Sequence, residues 1–273
     1  MKYCIDWNKE GILLDKADEI NIFYNRVENL DALLTFCNEH KNQRINVCME
    51  NLEKSLQENK VKDILDFQKE HSDLILYIRF PMRNEELDIM LNEYPDSKFF
   101  FDTKINDWDR VLGYIDYGVS DLYIVEGLGF ELDKIAAIAH EHNIQIRVFP
   151  NVAQASWEGL DDLKKFWIRP EDIDFYEPYV DVCEFYGENK KINVLYEVYK
   201  KEKKWFGDLK EIIIGLHETL DSRYIVPRFV KKRIRCNREC MKGGNCQMCN
   251  HVKDLSKNLE QAGLMVTMEK EEE

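Results

Sequence analysis

Four cysteines in the C-terminal quarter of the sequence have a spacing that could hold a metal. They are Cys236, Cys240, Cys246 and Cys249, in the pattern C-x3-C-x5-C-x2-C. Thiolates this close together can converge on one ion, and Gly243 and Gly244 supply the backbone freedom that the intervening turn needs. Four cysteines can close a structural zinc site or hold an iron–sulfur cluster. The pattern therefore predicts zinc or an iron–sulfur cluster as cofactor, with free thiols or disulfides as the alternative.

A basic segment overlaps this cysteine cluster. Its cations are Arg228, Lys231, Lys232, Arg233, Arg235, Arg238 and Lys242. Basic residues beside a metal site can bind the phosphates of RNA or of single-stranded nucleic acid. The whole chain carries a formal net charge of −14, so the same cations could instead dock the segment onto an acidic surface of the protein. An RNA partner and intramolecular docking are both consistent with the sequence.

A second set of candidate residues stands at the ends of eight strand-like runs. The residues are Asn25, Glu50, Arg79, Asp102, Glu126, Asn151, Arg169 and Glu184. The two arginines could clamp an anion, and the carboxylates could act as bases or ligands. We predict a catalytic set of Asp102, Glu126, Glu184, Arg79, Arg169 and Asn151. The alternative is an inert ring of ion pairs between the same charges.

The elements that must position these residues alternate along the chain. Strand-like runs rich in β-branched and aromatic residues alternate with amphipathic helical stretches, which is typical of βα units around a parallel sheet. The predicted strands cover residues 19–25, 44–49, 74–80, 98–103, 121–127, 145–151, 165–170 and 180–186. The predicted helices cover residues 29–40, 60–71, 84–94, 107–117, 132–142, 171–179 and 193–204.

Eight parallel strands favour a closed barrel over an open sheet, because closure removes two unpaired edges. The predicted fold class is α/β: a compact (β/α)₈ TIM-like barrel with a C-terminal helical extension that carries the cysteine knuckle. We divide the chain into a barrel domain, residues 1–205, and the extension, residues 206–273. In such barrels chemistry occurs at the C-terminal ends of the strands, so closure would bring the polar strand ends together.

Composition limits the remaining possibilities. No apolar run reaches the roughly 18 residues that a membrane span requires, and the first ten residues lack the order of a signal peptide. We therefore predict a cytoplasmic protein with no membrane partner. The other four cysteines, Cys4, Cys37, Cys48 and Cys183, are predicted to be structural thiols, mostly buried in apolar surroundings. The histidines fall mostly at predicted helix ends, which argues against histidine-based catalysis.

The segment YIVEGLGFELDKIAAIAHEHNIQIRVFPNVAQAS resembles the collagenase-like peptidase family of unassigned catalytic type. Glu126, Leu128, Gly129 and Asn151 occupy the matching places. The resemblance implies a TIM-type barrel, a cysteine-bound cofactor that is often an iron–sulfur cluster, and roles in hydroxylating RNA or quinone precursors. The family's cysteines begin soon after the last barrel strand, whereas residues 187–198 contain none.

Three functions are consistent with these features. The first is a metal-containing barrel protein that modifies RNA, or assists in that modification, and binds RNA through its basic segment. The second is a non-catalytic scaffold with a structural zinc knuckle and a protein partner. The third is a metal-independent barrel enzyme that binds a small anionic substrate through Arg79 and Arg169. The sequence does not decide whether the protein is an enzyme.

Overall fold

The computed structural model shows an α/β fold with eight parallel strands in a nearly closed barrel. It describes residues 1–7, 14–102, 105, 108–124, 131–151, 168–185 and 189–214. The strands are Lys2–Asp6 (β1), Glu19–Phe23 (β2), Arg44–Cys48 (β3), Leu76–Phe80 (β4), Phe99–Phe101 (β5), Asp121–Tyr123 (β6), Gln145–Val148 (β7) and Val182–Phe185 (β8).

Hydrogen bonding follows the order β5-β4-β3-β2-β1-β8-β7-β6. β5 and β6 are the two edge strands of this sheet, and two backbone hydrogen bonds connect residues at or beside them. Ser120 N donates to Phe99 O over 2.9 Å, and Ile105 N donates to Tyr123 O over 3.1 Å. These contacts bring the two edge strands together, so the sheet almost completes a cylinder.

Helices cover the outside of the barrel. They are Leu30–Glu39 (α1), Leu52–Gln57 (α2), Lys60–Glu70 (α3), Glu85–Asn92 (α4), Trp108–Asp116 (α5), Leu132–Glu141 (α6), Ile173–Tyr176 (α7) and Asn189–Tyr196 (α8). A π-helical segment, Glu197–Glu202, continues α8. Short 3₁₀ helices occupy Leu14–Lys16, Tyr24–Arg26, Pro170–Asp172 and Leu209–Glu211. None of the described helices has the length and apolarity needed to cross a membrane.

Asparagine caps start three of these helices. The side chains of Asn29, Asn51 and Asn84 each accept a hydrogen bond from the backbone N–H three residues later, which satisfies a donor that the first helical turn leaves unpaired. All three caps stand between a strand and the helix that follows it. They therefore fix where the chain turns from the barrel into its outer layer.

The hydrophobic core lies between the strands and the helices. Alternate strand residues such as Ile20, Ile22 and Val47 belong to one buried apolar cluster with helix residues such as Leu33 and Ile64. Because strand side chains alternate between faces, the residues between them point into the barrel. Those inward residues are largely polar, and they form the candidate site.

Seven of the eight predicted strands overlap observed strands, but the prediction for residues 165–170 is wrong over its described part. Ile168 and Arg169 belong to no strand, and Pro170 opens a 3₁₀ helix. Proline has no backbone N–H to donate to a sheet. The eighth barrel strand is instead β1, which pairs with both β2 and β8. The sequence prediction, whose first strand began at residue 19, also missed α2.

Candidate active site

Charged and amide side chains fill the barrel. Most of the strands supply polar or aromatic residues at every second position, and many of these side chains are buried. The buried polar residues on the strands are Glu19, Asn21, Arg44, Asn46, Arg79, Asp121, Arg147 and Glu184. Buried charges are costly unless they are paired, so the pairing between them determines what this interior can do.

Four of these residues form a compact ion-pair cluster at the N-terminal end of the barrel, which we call the floor cluster: Glu19, Arg44, Asp121 and Arg147. Arg147 donates to Glu19 and, over 2.6 Å, to Asp121 Oδ1. Arg44 Nη2 donates to Asp121 Oδ2 over 2.6 Å. Burial by itself would raise the pKa of the Asp121 carboxyl, but Arg147 and Arg44 together lower it below its ordinary value. Two guanidinium groups thus balance two carboxylates.

Aromatic rings support the arginines from the side. The guanidinium carbon of Arg44 lies 3.5 Å from the ring centroid of Tyr77, and that of Arg147 lies 4.8 Å from the centroid of Phe100. Arginine stacks readily on aromatic faces. The rings therefore stabilise the two cations within the buried floor cluster.

A second group of residues stands at the C-terminal ends of the strands, and we call it the mouth cluster: Asp6, Arg79, Asp102 and Glu184. Arg79 donates over 2.7 Å to Glu184 Oε1 and over 2.7 Å to Asp102 Oδ1. The Tyr123 hydroxyl donates a hydrogen bond to the other carboxylate oxygen of Glu184, Oε2. The Arg79 side chain is 10% exposed and that of Asp102 is 42% exposed, so the ion pairs run from the interior to the surface.

Asp6 occupies a distinct position in this cluster. Its Oδ1 accepts a hydrogen bond of 2.9 Å from Asn21 Nδ2, and its side chain is partly exposed. Burial and the nearby Glu184 carboxylate raise the pKa of Asp6 to about 6, against the opposing effects of Asn21, Arg79 and Arg26. Asp6 therefore exchanges its proton close to neutral pH, at the end of the barrel where enzymes of this architecture place their chemistry.

Two neighbouring groups keep their protons at neutral pH. Burial raises the pKa of the Cys48 thiol, and nearby carboxylates add to the effect although Arg79 opposes it. Burial also raises the pKa of the Tyr123 hydroxyl well above its ordinary value. Because a thiol is a poor nucleophile until it loses its proton, Cys48 does not resemble a catalytic cysteine.

The structure brings together three of the residues predicted from the sequence. Arg79, Asp102 and Glu184 meet in the ion pairs described above. Arg169 instead donates to Asp172 Oδ1 over 2.8 Å at the start of a 3₁₀ helix, and Asn151 is buried after β7. Their catalytic roles stay predictions.

Other predicted positions lie elsewhere. Asn25 and Glu50 are exposed. Glu126 lies outside the described residues, as do the basic segment and the four C-terminal cysteines. In the part of the chain that the structure describes, no three His, Cys, Asp or Glu side chains are arranged to hold a metal. The described residues therefore do not test the predicted zinc or iron–sulfur site or the predicted RNA binding.

The remaining members of the site were missed in the sequence. Asn21 and Asn46 lie inside short apolar strands, whereas the sequence prediction considered only residues near the end of each run. Asp6 ends β1, a strand that the sequence prediction did not include. A signal was present, since Asn21, Arg44 and Asn46 interrupt isoleucine and valine at every second position. In a strand covered on its outer face by helices, such alternation indicates a polar interior.

Comparison with known proteins assigns no family. The sequence matches no protein-family model and no curated protein, so the resemblance to the collagenase-like peptidases is not confirmed. Among solved structures, the crystal structure of RipC from Yersinia pestis aligns with a TM-score of 0.40 and 9% sequence identity, over 73% of this chain and 94% of the RipC chain. Similarity at this level establishes neither a shared family nor a shared activity.

Proposed function

We propose that this protein is a barrel enzyme that transfers a proton to or from a small polar substrate, with Asp6 as the general acid or base. The observation that carries the proposal is the position of Asp6 at the C-terminal end of the barrel. There a partly exposed carboxyl group has a pKa of about 6, raised chiefly by burial and by Glu184. A catalytic acid or base is most effective when its pKa lies near the working pH.

The surroundings of Asp6 suit this role. Among the described residues, Asn21 is the hydrogen-bond partner of its Oδ1, and none binds its Oδ2, so a substrate could reach that oxygen. Arg79 is fixed by Glu184 and Asp102, which gives the site a rigid arrangement of charge. Preorganised charge of this kind stabilises a developing transition state without reorganising.

The first test is the titration of Asp6. The protein is labelled with ¹³C-aspartate, and the side-chain carboxyl resonance of Asp6 is identified by its absence in Asp6→Asn. This resonance should titrate with a midpoint of about 6. A midpoint below about 5, close to the ordinary aspartate value of about 3.9, would contradict the proposal, because the group would then be a permanent carboxylate at neutral pH.

The second test is a search for proton transfer. The wild-type protein is incubated in D₂O with a defined mixture of small carboxylic acids, amino acids, ketones, sugars and amines, and ¹H NMR follows deuterium exchange and product formation. We expect Asp6→Asn to reduce the rate on a responsive compound by about 10²- to 10⁴-fold. Glu197→Gln, which alters an exposed pair with Lys201, serves as the control and should leave the rate unchanged. Equal rates for Asp6→Asn and the wild type would refute the role of Asp6.

The hypotheses that involve the C-terminal cysteines remain separate proposals. RNA modification and the zinc scaffold depend on residues after Ile214, whereas the resemblance to the collagenase-like peptidase family is based on residues 123–156. One described contact is relevant to them: Ile214 N donates to Asn151 O over 2.8 Å. Ile214 therefore lies at the same end of the barrel as Asp6, which is consistent with a role near the site for the segment that follows it.

The anionic-substrate hypothesis has weaker support. It assigned the anion to Arg79 and Arg169, but Arg79 already binds Glu184 and Asp102, and Arg169 binds Asp172. An incoming anion would have to displace these carboxylates. Proton transfer through Asp6 requires no such rearrangement, and we prefer it for that reason.

A further inference from the structure

A chain of side-chain hydrogen bonds runs up the barrel from the floor cluster to Asp6. Arg44 Nε donates to Asn46 Oδ1 over 2.8 Å. Asn46 Nδ2 donates to Asn21 Oδ1 over 3.0 Å, and Asn21 Nδ2 donates to Asp6 Oδ1 over 2.9 Å. Asn21 and Asn46 are completely buried, so bulk water does not reach either amide group.

The direction of this chain is set at its lower end by chemistry. A guanidinium group has donors and no acceptor, so the Asn46 atom that faces Arg44 Nε must be the amide oxygen. On its other side, the Asn46 amide nitrogen lies 3.3 Å from Glu19 Oε2. Glu19 is held in ion pairs with Arg147 and Arg44 and can only accept. If the Asn46 amide were rotated by 180°, its NH₂ group would face the Arg44 donor and its oxygen would face the Glu19 carboxylate. Both contacts would be unfavourable in a buried site.

The same constraint passes to Asn21. Because Asn46 presents its NH₂ group, the Asn21 atom that receives it must be the amide oxygen. The Cys4 thiol, 3.3 Å away, can donate to that same oxygen. Asn21 is left with its NH₂ group directed towards Asp6.

We propose that Arg44, Asn46 and Asn21 form a one-way amide relay that makes Oδ2 of Asp6 the proton-carrying atom of the site. Asp6 Oδ1 accepts a hydrogen bond from Asn21, so a proton on this oxygen could not point towards Asn21. When Asp6 is protonated, its proton is therefore on Oδ2. Asn21 and Asn46 are positioning residues: they touch no substrate and act through Asp6. The catalytic meaning of the relay rests on the proposed function, but the relay itself can be observed without any substrate.

The relay acts against a known set of charges. Within the described residues, the titratable and charged groups that face Asp6 are Glu184 on β8, Arg79 on β4, Arg26 after β2, Cys48 on β3 and Cys4 on β1. Glu184 favours the protonated form of Asp6, and the two arginines favour the carboxylate. The Asn21 hydrogen bond also favours the carboxylate, so loss of this bond should make Asp6 harder to ionise.

The test follows the ¹³C carboxyl titration of Asp6 in four proteins: the wild type, Asn21→Leu, Asn46→Leu and the control Gln68→Leu. Gln68 is also a buried amide, but it donates to the carbonyls of Leu76 and Lys98 on the outer side of the sheet. We expect Asn21→Leu to raise the pKa of Asp6 by about one unit, a tenfold change in proton affinity. Asn46→Leu should raise the pKa of Asp6 by less, because Asn21 can still donate to the Asp6 carboxylate in this variant. The freed Asn21 would turn its oxygen towards Asp6 only when Asp6 is protonated. Gln68→Leu should lower stability without altering the titration.

A second measurement requires no substitution, and therefore no variant that must fold. In the ¹⁵N-labelled wild type, the side-chain amide resonance of Asn21 should shift with pH at the same midpoint as Asp6, and that of Asn46 should shift less. An Asn21 resonance that does not follow Asp6 would overturn the relay, as would an unchanged Asp6 titration in both asparagine variants.

These outcomes separate the relay from the proposed function. If Asp6→Asn abolishes proton transfer while Asn21→Leu leaves the titration of Asp6 unchanged, the relay is wrong and the function stands. If the amide resonances follow Asp6 while Asp6→Asn keeps full activity, the relay stands and the function is wrong.

Discussion

At the scale of single residues, Asp6 shows how opposing effects place a group near neutrality. Burial and Glu184 raise the pKa of its carboxyl, while Asn21, Arg79 and Arg26 counteract part of that rise, and the result is a value of about 6. No single neighbour produces this value. A change to any of them should therefore move the titration in the direction of its charge or hydrogen bond.

The raised pKa also predicts a pH dependence of stability. An unfolded aspartate has a pKa of about 3.9, so the folded protein binds the Asp6 proton more tightly than the unfolded chain. The contribution to stability is complete below about pH 4 and is lost as the pH rises through about 6. The Asp6→Asn variant has no titrating group at this position, so it does not lose stability in this way as the pH rises. Its free energy of unfolding relative to the wild type should increase by about 2 kcal/mol between pH 4 and pH 7.

Urea denaturation of both proteins at several pH values measures this difference. The difference should rise mostly between pH 4 and 6 and then level off. A difference that is constant with pH would show that Asp6 has a similar pKa in the folded and unfolded states.

At the scale of elements, the strands divide their two faces between different tasks. Outward residues such as Ile20, Ile22 and Val47 join the apolar core beneath the helices. The inward residues of the same strands belong to the polar interior, as Asn21 and Asn46 show. The helices thus supply the hydrophobic stabilisation, which leaves the inside of the barrel to the charge network.

Arg147 is the residue on which this interior network depends most. It is fully buried and pairs with both Glu19 and Asp121. Arg147→Met would leave two buried carboxylates short of a partner, and we expect a loss of about 3–5 kcal/mol in the free energy of unfolding. The matched control is Lys201→Met, since Lys201 forms an exposed pair with Glu197; it should cost about 0.5 kcal/mol or less. Chemical denaturation measures the loss of free energy of unfolding in both variants. Similar losses would show that the interior network contributes little to stability.

At the scale of the whole molecule, the two ends of the described chain are joined to the barrel. β1 lies between β2 and β8 and so links the early and late strands. Leu209, Ile212 and Ile213, which follow the proposed boundary at residue 205, are buried in the same apolar cluster as the barrel. The division into a barrel and an extension stays a prediction, but the packed part of the chain continues to these residues.

The C-terminal cysteines give a prediction that belongs to the whole protein. On protein purified without oxygen, metal analysis and visible absorption should show either about four irons per chain with a coloured cluster or about one zinc without colour. Replacing Cys246 and Cys249 together with serine should remove the metal, whereas Cys37→Ala, at a buried thiol in α1, should not. Protein that contains neither metal would contradict the prediction.

The sequence by itself determined the local structure. Seven strands and the longer helices follow from periodicity and capping residues, which act over a few neighbours along the chain. It also indicated that Cys4, Cys37, Cys48 and Cys183 are structural thiols, and the structure confirms that all four are buried. The sequence prediction did not include β1, although β1 has five residues, as many as β2, β3 and β4.

Only the tertiary structure decided which polar residues meet. Asp6 and Glu184 are far apart in the chain, and they become neighbours because β1 pairs with β8. The direction of the Asn21 and Asn46 amides likewise depends on Arg44 and Glu19, whose pairing requires β2 and β3 to lie side by side in register. Periodicity can predict that a residue faces inward. It cannot predict what that residue will face, because that depends on how distant strands are ordered and aligned around the barrel.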